Sequence, residues 1–147
     1  MNSYWFPFAT IVVNLIMIWF MPKRITKREV YHAWWMLSAL TIYTDLLVGD
    51  IIDWYDFGPK GIQLTELPIE ALLPPSFGII FLNFMPENQT RFFFYLIGWT
   101  SFSVFYEWMS VWFGFEVLKG WTPWASTPIY FMVFIFLRWH LHYSRKQ

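Results

Sequence analysis

Charged side chains are absent from the first 22 residues, and within that stretch Phe8-Ala9-Thr10-Ile11-Val12-Val13-Asn14-Leu15-Ile16-Met17-Ile18-Trp19-Phe20-Met21 runs with little polar interruption. A hydrocarbon core of about 30 Å needs roughly 20 apolar residues rising 1.5 Å each, so the stretch is long enough to cross a bilayer as a helix. Similar patterns recur, giving five candidate spans at 4 to 21, 29 to 49, 67 to 85, 91 to 113 and 123 to 143. The pattern predicts an all-α integral membrane helical bundle of about five transmembrane helices, one domain over residues 1–147. The third span carries Pro74 and Pro75, which cannot donate to the carbonyls of Glu70 and Ala71, so a Pro-kinked helix is expected there.

Basic residues set the expected orientation. Lys23, Arg24, Lys27 and Arg28 follow the first span, and alternation of five spans adds Arg91, Arg138, Arg145 and Lys146 to the same side, leaving Lys60 and Lys119 opposite. Eight against two fits a cytoplasmic carboxy terminus and an amino terminus outside. The first span has no basic residues before it and no small-residue cleavage site after it, which suits an uncleaved anchor. Trp5, Trp54, Trp108, Trp112, Trp121 and Trp124 then fall at the outer interface, and Trp19, Trp34, Trp35 and Trp139 at the inner one.

Composition narrows the class. The chain is 57% hydrophobic, 24% aromatic and only 14% charged, more apolar surface than one soluble core of 147 residues would hide. Its zero net charge and lack of a basic stripe outside short loops speak against nucleic acid as a partner. With no cysteine, thiolate metal sites and thiol chemistry are excluded. No GxSxG elbow, HExxH, P-loop or dinucleotide fingerprint occurs, so soluble-type catalysis has no motif behind it and no cofactor is implied.

Three carboxylates fall inside the expected spans. Asp45 and Glu107 each lie about 16 residues from the cytoplasmic start of their helices, roughly 24 Å up a core of about 30 Å, and Glu70 lies just inside the outer start of the third. An ionised carboxylate facing lipid costs about 2.5–3.5 kcal/mol at the bilayer centre, so such groups face the bundle interior or a watered cavity. Asp45, Glu70 and Glu107 are therefore expected to converge in the outer half as a ligand- or ion-binding site. Small polar stripes accompany two of them: Ser38, Thr41 and Asp45 on one helix, Trp99, Ser103, Glu107 and Ser110 on another. No base lies near, so the expected compensation is a proton, a bound cation, or donors such as Trp108, Tyr43, Tyr106 and Thr44. The plainer alternative is that the acids reach interfacial water.

Asp50, Asp53 and Asp56 form a secondary external acidic cluster; if the second helix continues outward, Asp53 and Asp56 are neighbours at i and i+3. Oxygen-rich clusters suit hard cations, but no EF-hand spacing is present, and a solvated acidic turn before Gly58-Pro59 is the simpler reading; the metal, if any, is open. His32, His140 and His142 lack the i, i+4 spacing of a helical zinc pair. The ending His140-Leu-His142-Tyr-Ser-Arg145-Lys146 suits anionic headgroups.

These features carry a resemblance. The basic loop after the first span, Asp45 with the cluster Asp50, Asp53, Trp54, Tyr55 and Asp56, Glu70 within Pro68-Ile69-Glu70, and Trp124-Ala-Ser126-Thr-Pro128-Ile129-Tyr130 make nearly the whole chain similar to a family of small, Trp-rich polytopic membrane proteins of spore-forming Gram-positive bacteria. The resemblance implies architecture and a bacterial plasma (inner) membrane, and no activity. Pro68-x-Glu70 also resembles a piece of membrane-bound lycopene cyclase domains, but Ala71 stands where a second acid normally follows. The leading expectation is a non-enzymatic accessory, scaffold or ligand-binding membrane subunit whose partners are membrane lipids and a protein partner or second copy. A transporter-like protein binding a proton or cation through Asp45, Glu70 and Glu107 is the alternative, and an intramembrane lipid-modifying enzyme the third.

Overall fold

Thr26 begins the clearest helix start in the chain: its side chain accepts from the Glu29 amide at 3.2 Å while the Glu29 carboxylate accepts from the Thr26 amide at 2.9 Å, a reciprocal cap that satisfies two otherwise orphaned donors. The structure, a computed structural model, describes residues 4–57 and 64–146. Within them the protein is helical, with α1 (Trp5–Phe20), α2 (Lys27–Thr44), α3 (Glu66–Phe84), α4 (Gln89–Trp112) and α5 (Pro123–Arg145). α2 runs into a π-helical stretch, Asp45–Ile51. Two short strands, β1 (Tyr55–Phe57) and β2 (Glu116–Leu118), pair antiparallel with Tyr55 opposite Leu118. The Gly58-Pro59 turn and Lys60 lie outside the described residues.

Other caps follow the same logic. Asn88 accepts from the amides of Thr90 and Arg91 to open α4, and Thr122 caps α5 ahead of Pro123, whose missing N–H costs nothing in a first turn. α4 ends at Gly114, whose φ of 80° is open to glycine without strain. There the Phe115 amide donates to Ser110 and the Gly114 amide to Val111, the paired bonds of a Schellman turn. At the end of α1, Lys23 donates to the carbonyls of Ile18, Trp19 and Met21, placing a cation at the negative end of the helix.

The sheath-and-centre arrangement follows from burial. Twelve of the nineteen residues of α3 are buried, against three of sixteen in α1, so α3 is the axis. α1 and α2 pack directly on it. α4 and α5 pair with each other, and α4 reaches α3 through rings: Phe77 against Phe102 at 5.6 Å and Phe81 against Tyr95 at 5.1 Å. The main core gathers Leu37, Ile79, Phe81, Phe134 and Leu137; a second cluster gathers Tyr4, Ile11, Ile69, Leu73 and Phe115. α3 stays helical through Pro74 and Pro75. It is also the one described helix long and apolar enough to cross a membrane, with mean hydropathy 1.4, while α1 is apolar but shorter.

One expectation is corrected here. The second helix does not carry Asp53 and Asp56 outward at i and i+3: the chain leaves the helix after Ile51, Asp53 takes a positive φ of 62°, and Asp56 enters β1. Pairing with β2 overrides helical continuation.

Candidate functional site

The α2–α3 and α4–α5 pairs leave a cavity of about 340 Å³ between them. Asp45, Glu70 and Glu107 all line it, and so do Glu66 and Glu116. The acids lie toward the ribbon end. Leu37, Leu40, Val133, Phe134 and Leu137 line the other end, two turns further along α2 and α5.

Each acid is held differently. Asp45 is the first residue of the π-helical stretch, a geometry frequent at functional sites. Gly49 makes room for it: an added Cβ would stand 2.9 Å from Asp45 Oδ1 and 3.3 Å from the Tyr55 ring. The Asp45 carboxyl is in hydrogen-bond contact with Glu70 and with the Tyr55 hydroxyl. Glu107, only 6% exposed, accepts from Ser126 Oγ and from the Tyr130 hydroxyl, both at 2.8 Å, and Trp121 Nε1 donates to Ser126 Oγ at 2.7 Å. Ser126 and Tyr130 are one turn apart on α5, so one face of that helix presents both donors.

Those partners differ from the expected ones. Trp108 and Tyr43 are 53% and 69% exposed and point away from the acids, and the Tyr106 hydroxyl donates to Thr10 at 2.9 Å. The α5 pair was visible only as spacing, without a rotation to aim it. Of the expected stripes, Thr41, Asp45, Ser103, Glu107 and Ser110 do line the cavity, whereas Ser38 turns to the Ala71 carbonyl.

The ribbon closes the acid end. Lys119 on the turn after β2 pairs with Asp53 and, at 2.9 Å, with Asp56, and both contacts push its ammonium above the usual lysine range, the Asp53 bond most. The secondary cluster is thus partly engaged, while Asp50 stays exposed. Trp54 and Trp121 stack at 5.4 Å, and Trp121 lines the cavity. Burial pushes Glu116 well above the ordinary carboxyl value, and the charges of Glu107 and Asp45 add to it. Burial likewise raises the Tyr55 hydroxyl, with Asp45 next.

No Lys, Arg or His is among the described residues lining the cavity, nor is any group of three or more His, Asp or Glu among the described residues arranged to hold a metal ion. Leu40 and Thr44 on α2 and Ile129 on α5 line the cavity and are also exposed, which opens it sideways between those helices. No protein-family model, no curated protein and no solved structure matches this chain.

Proposed function

We propose that the protein is a five-span bacterial plasma-membrane protein that takes a small amphiphile from the bilayer into this cavity, its head a hydrogen-bond donor or ammonium and its tail apolar. Support for the membrane comes from the outward faces of the helices. Trp19 and Phe20 on α1, Trp112 on α4 and Trp124 on α5 are 70–80% exposed, alongside Phe94, Met132 and Trp139. So much large apolar surface needs a covering medium, while the acids lie inside. The likeness to small Trp-rich membrane proteins agrees with this reading.

The observation that carries the ligand class is that most of the lining hydroxyls are already engaged as donors within the protein. Thr41 donates to Leu37 O, Ser103 to Trp99 O and Ser110 to Tyr106 O, at 2.8, 2.9 and 3.0 Å; Ser126 and Tyr130 donate to Glu107. A hydroxyl has one hydrogen to give and two lone pairs, so these oxygens and the five carboxyls offer acceptors. An ammonium with three N–H donors complements them. A proton-carrying role is the second reading, favoured by the Asp45–Glu70 contact.

The test is equilibrium dialysis of octylamine, octanol and octanoate against the protein in nanodiscs, with empty nanodiscs subtracted. Octylamine is expected to bind at least about tenfold more tightly than octanol, a difference of about 1.4 kcal/mol, and Ser103→Phe to abolish both. Equal binding of the two would remove the ammonium head from the reading; binding of neither would remove the ligand and leave the proton-carrying role.

A further inference from the structure

A second cavity, of about 290 Å³, lies at the opposite end of the bundle, where the α1–α2 turn meets the ends of α3 and α5. Its floor is Leu82, Met85 and Leu141, all buried. Its walls are Arg24, Asn83, Glu87, His142 and Arg145. We propose that this pocket binds the phosphate of a phospholipid headgroup between Arg24 and Arg145, with Glu87 receiving the headgroup's ammonium, so that phosphoethanolamine is the head it fits.

The walls are built rather than incidental. Asn83 is 1% exposed, accepts from the Arg24 amide at 2.7 Å and donates to the Pro22 carbonyl at 2.9 Å, which fixes the turn that carries Arg24. Arg145 Nε donates to Glu29 at 2.8 Å. That bond pins one edge of the guanidinium, whose remaining N–H groups form the fork that matches two phosphate oxygens. Neighbouring cations are occupied elsewhere: Lys23 caps α1, and Arg138 sits 3.9 Å over the Phe92 ring. Among the described residues no ion pair joins Arg24 to Glu87 or Arg145 to Glu87, although all three face one pocket. Two separated guanidiniums and one separate carboxylate form the complement of a zwitterion, whereas a purely anionic head would leave Glu87 facing negative charge. The lipid source rests on the membrane reading above. The phosphate chemistry does not, since it needs only the pocket.

The experiment is native mass spectrometry of the full chain released from detergent micelles carrying equal amounts of phosphatidylethanolamine, phosphatidylglycerol and phosphatidylcholine, repeated with excess inorganic phosphate. Phosphatidylethanolamine is expected to be retained several-fold over the others. Arg24→Gln should abolish retention, and Glu87→Gln should turn the preference toward phosphatidylglycerol. Arg24 contributes only its amide to the fold, so its variant keeps the Asn83 contacts. Equal retention of all three lipids, or retention indifferent to Arg24→Gln, would overturn the site. Complete displacement by inorganic phosphate would overturn the lipid source and assign the pocket to the free anion.

Discussion

The Ser38 hydroxyl on α2 donates at 2.9 Å to the Ala71 carbonyl on α3, the acceptor that Pro75 leaves without its helical donor. A residue that weakens one helix thus creates the bond that joins two. From the other side, Asn14 on α1 donates at 3.0 Å to Oγ of Ser76, the residue after Pro75, while Ser76 donates to Leu73 O at 2.7 Å.

Ser38→Ala should therefore destabilise the protein by about 1 kcal/mol, since it removes the partner of a half-buried carbonyl. In a Pro75→Ala background the helix regains its own donor, and the same Ser38→Ala change should cost measurably less. A coupling of about 0.5 kcal/mol or more in this cycle, read from denaturation in micelles, is expected. Strict additivity would show that Pro75 does not set the value of the contact.

Gly78 marks the close crossing of α2 and α3. A Cβ added there would collide with Leu37 Cδ1 and stand 3.7 Å from Leu137 Cδ1, and Leu37 is buried. Gly78→Ala is expected to cost about 1–3 kcal/mol by overpacking. Adding Leu37→Ala should cost less in that background than in wild type, because it removes the clashing methyl. Thermal midpoints of the four variants check this; an unchanged cost of Leu37→Ala would place the strain elsewhere.

Helix positions were legible because gaps between charges coincide with caps: Thr26 with Glu29, Asn88 before α4, Thr122 before Pro123. That Asp45, Glu70 and Glu107 reach one cavity from three helices was legible from residue rise along those helices. Rotation was not, since it depends on which helices neighbour which; hence Trp108 and Tyr43 were expected as donors and Ser126 and Tyr130 were missed. Glu116 was hidden for another reason. Strands as short as β1 and β2 carry no usable alternation, and only their pairing turns Glu116 inward and Asp53 toward Lys119.

Glu116 gives a pH signature. Its folded value lies above the ordinary 4.5, so between those values the folded chain holds a proton that the unfolded chain releases, and stability falls as pH rises from about 4.5 toward the folded value. Glu116→Gln removes that loss. The variant's thermal midpoint should gain on wild type progressively as pH is raised from 4 to 7. Lys119, with its raised value, keeps its contribution through that whole window and loses it only above the usual lysine range. Parallel curves for variant and wild type would mean that Glu116 is solvated.

Orientation can be read directly, because the chain has no cysteine to confuse labelling. The basic end carries Lys23, Arg24, Lys27, Arg28, Arg91, Arg138, Arg145 and Lys146, against Lys119 among the described residues at the ribbon end. Loops rich in Lys and Arg stay cytoplasmic, so Cys placed at Ser3 or Val117 should react with an impermeant maleimide in intact cells. Cys at Gln89 or Ser144 should react only after lysis. Val117 is 48% exposed and Gln89 and Ser144 lie at helix ends, so lack of reaction would reflect the membrane rather than packing. Five crossings require Ser3 and Ser144 to fall on opposite sides, because an odd number of spans separates them. Reaction of both from the same side would break the five-span arrangement, and the inverse pattern would place the acid-lined cavity toward the cytoplasm.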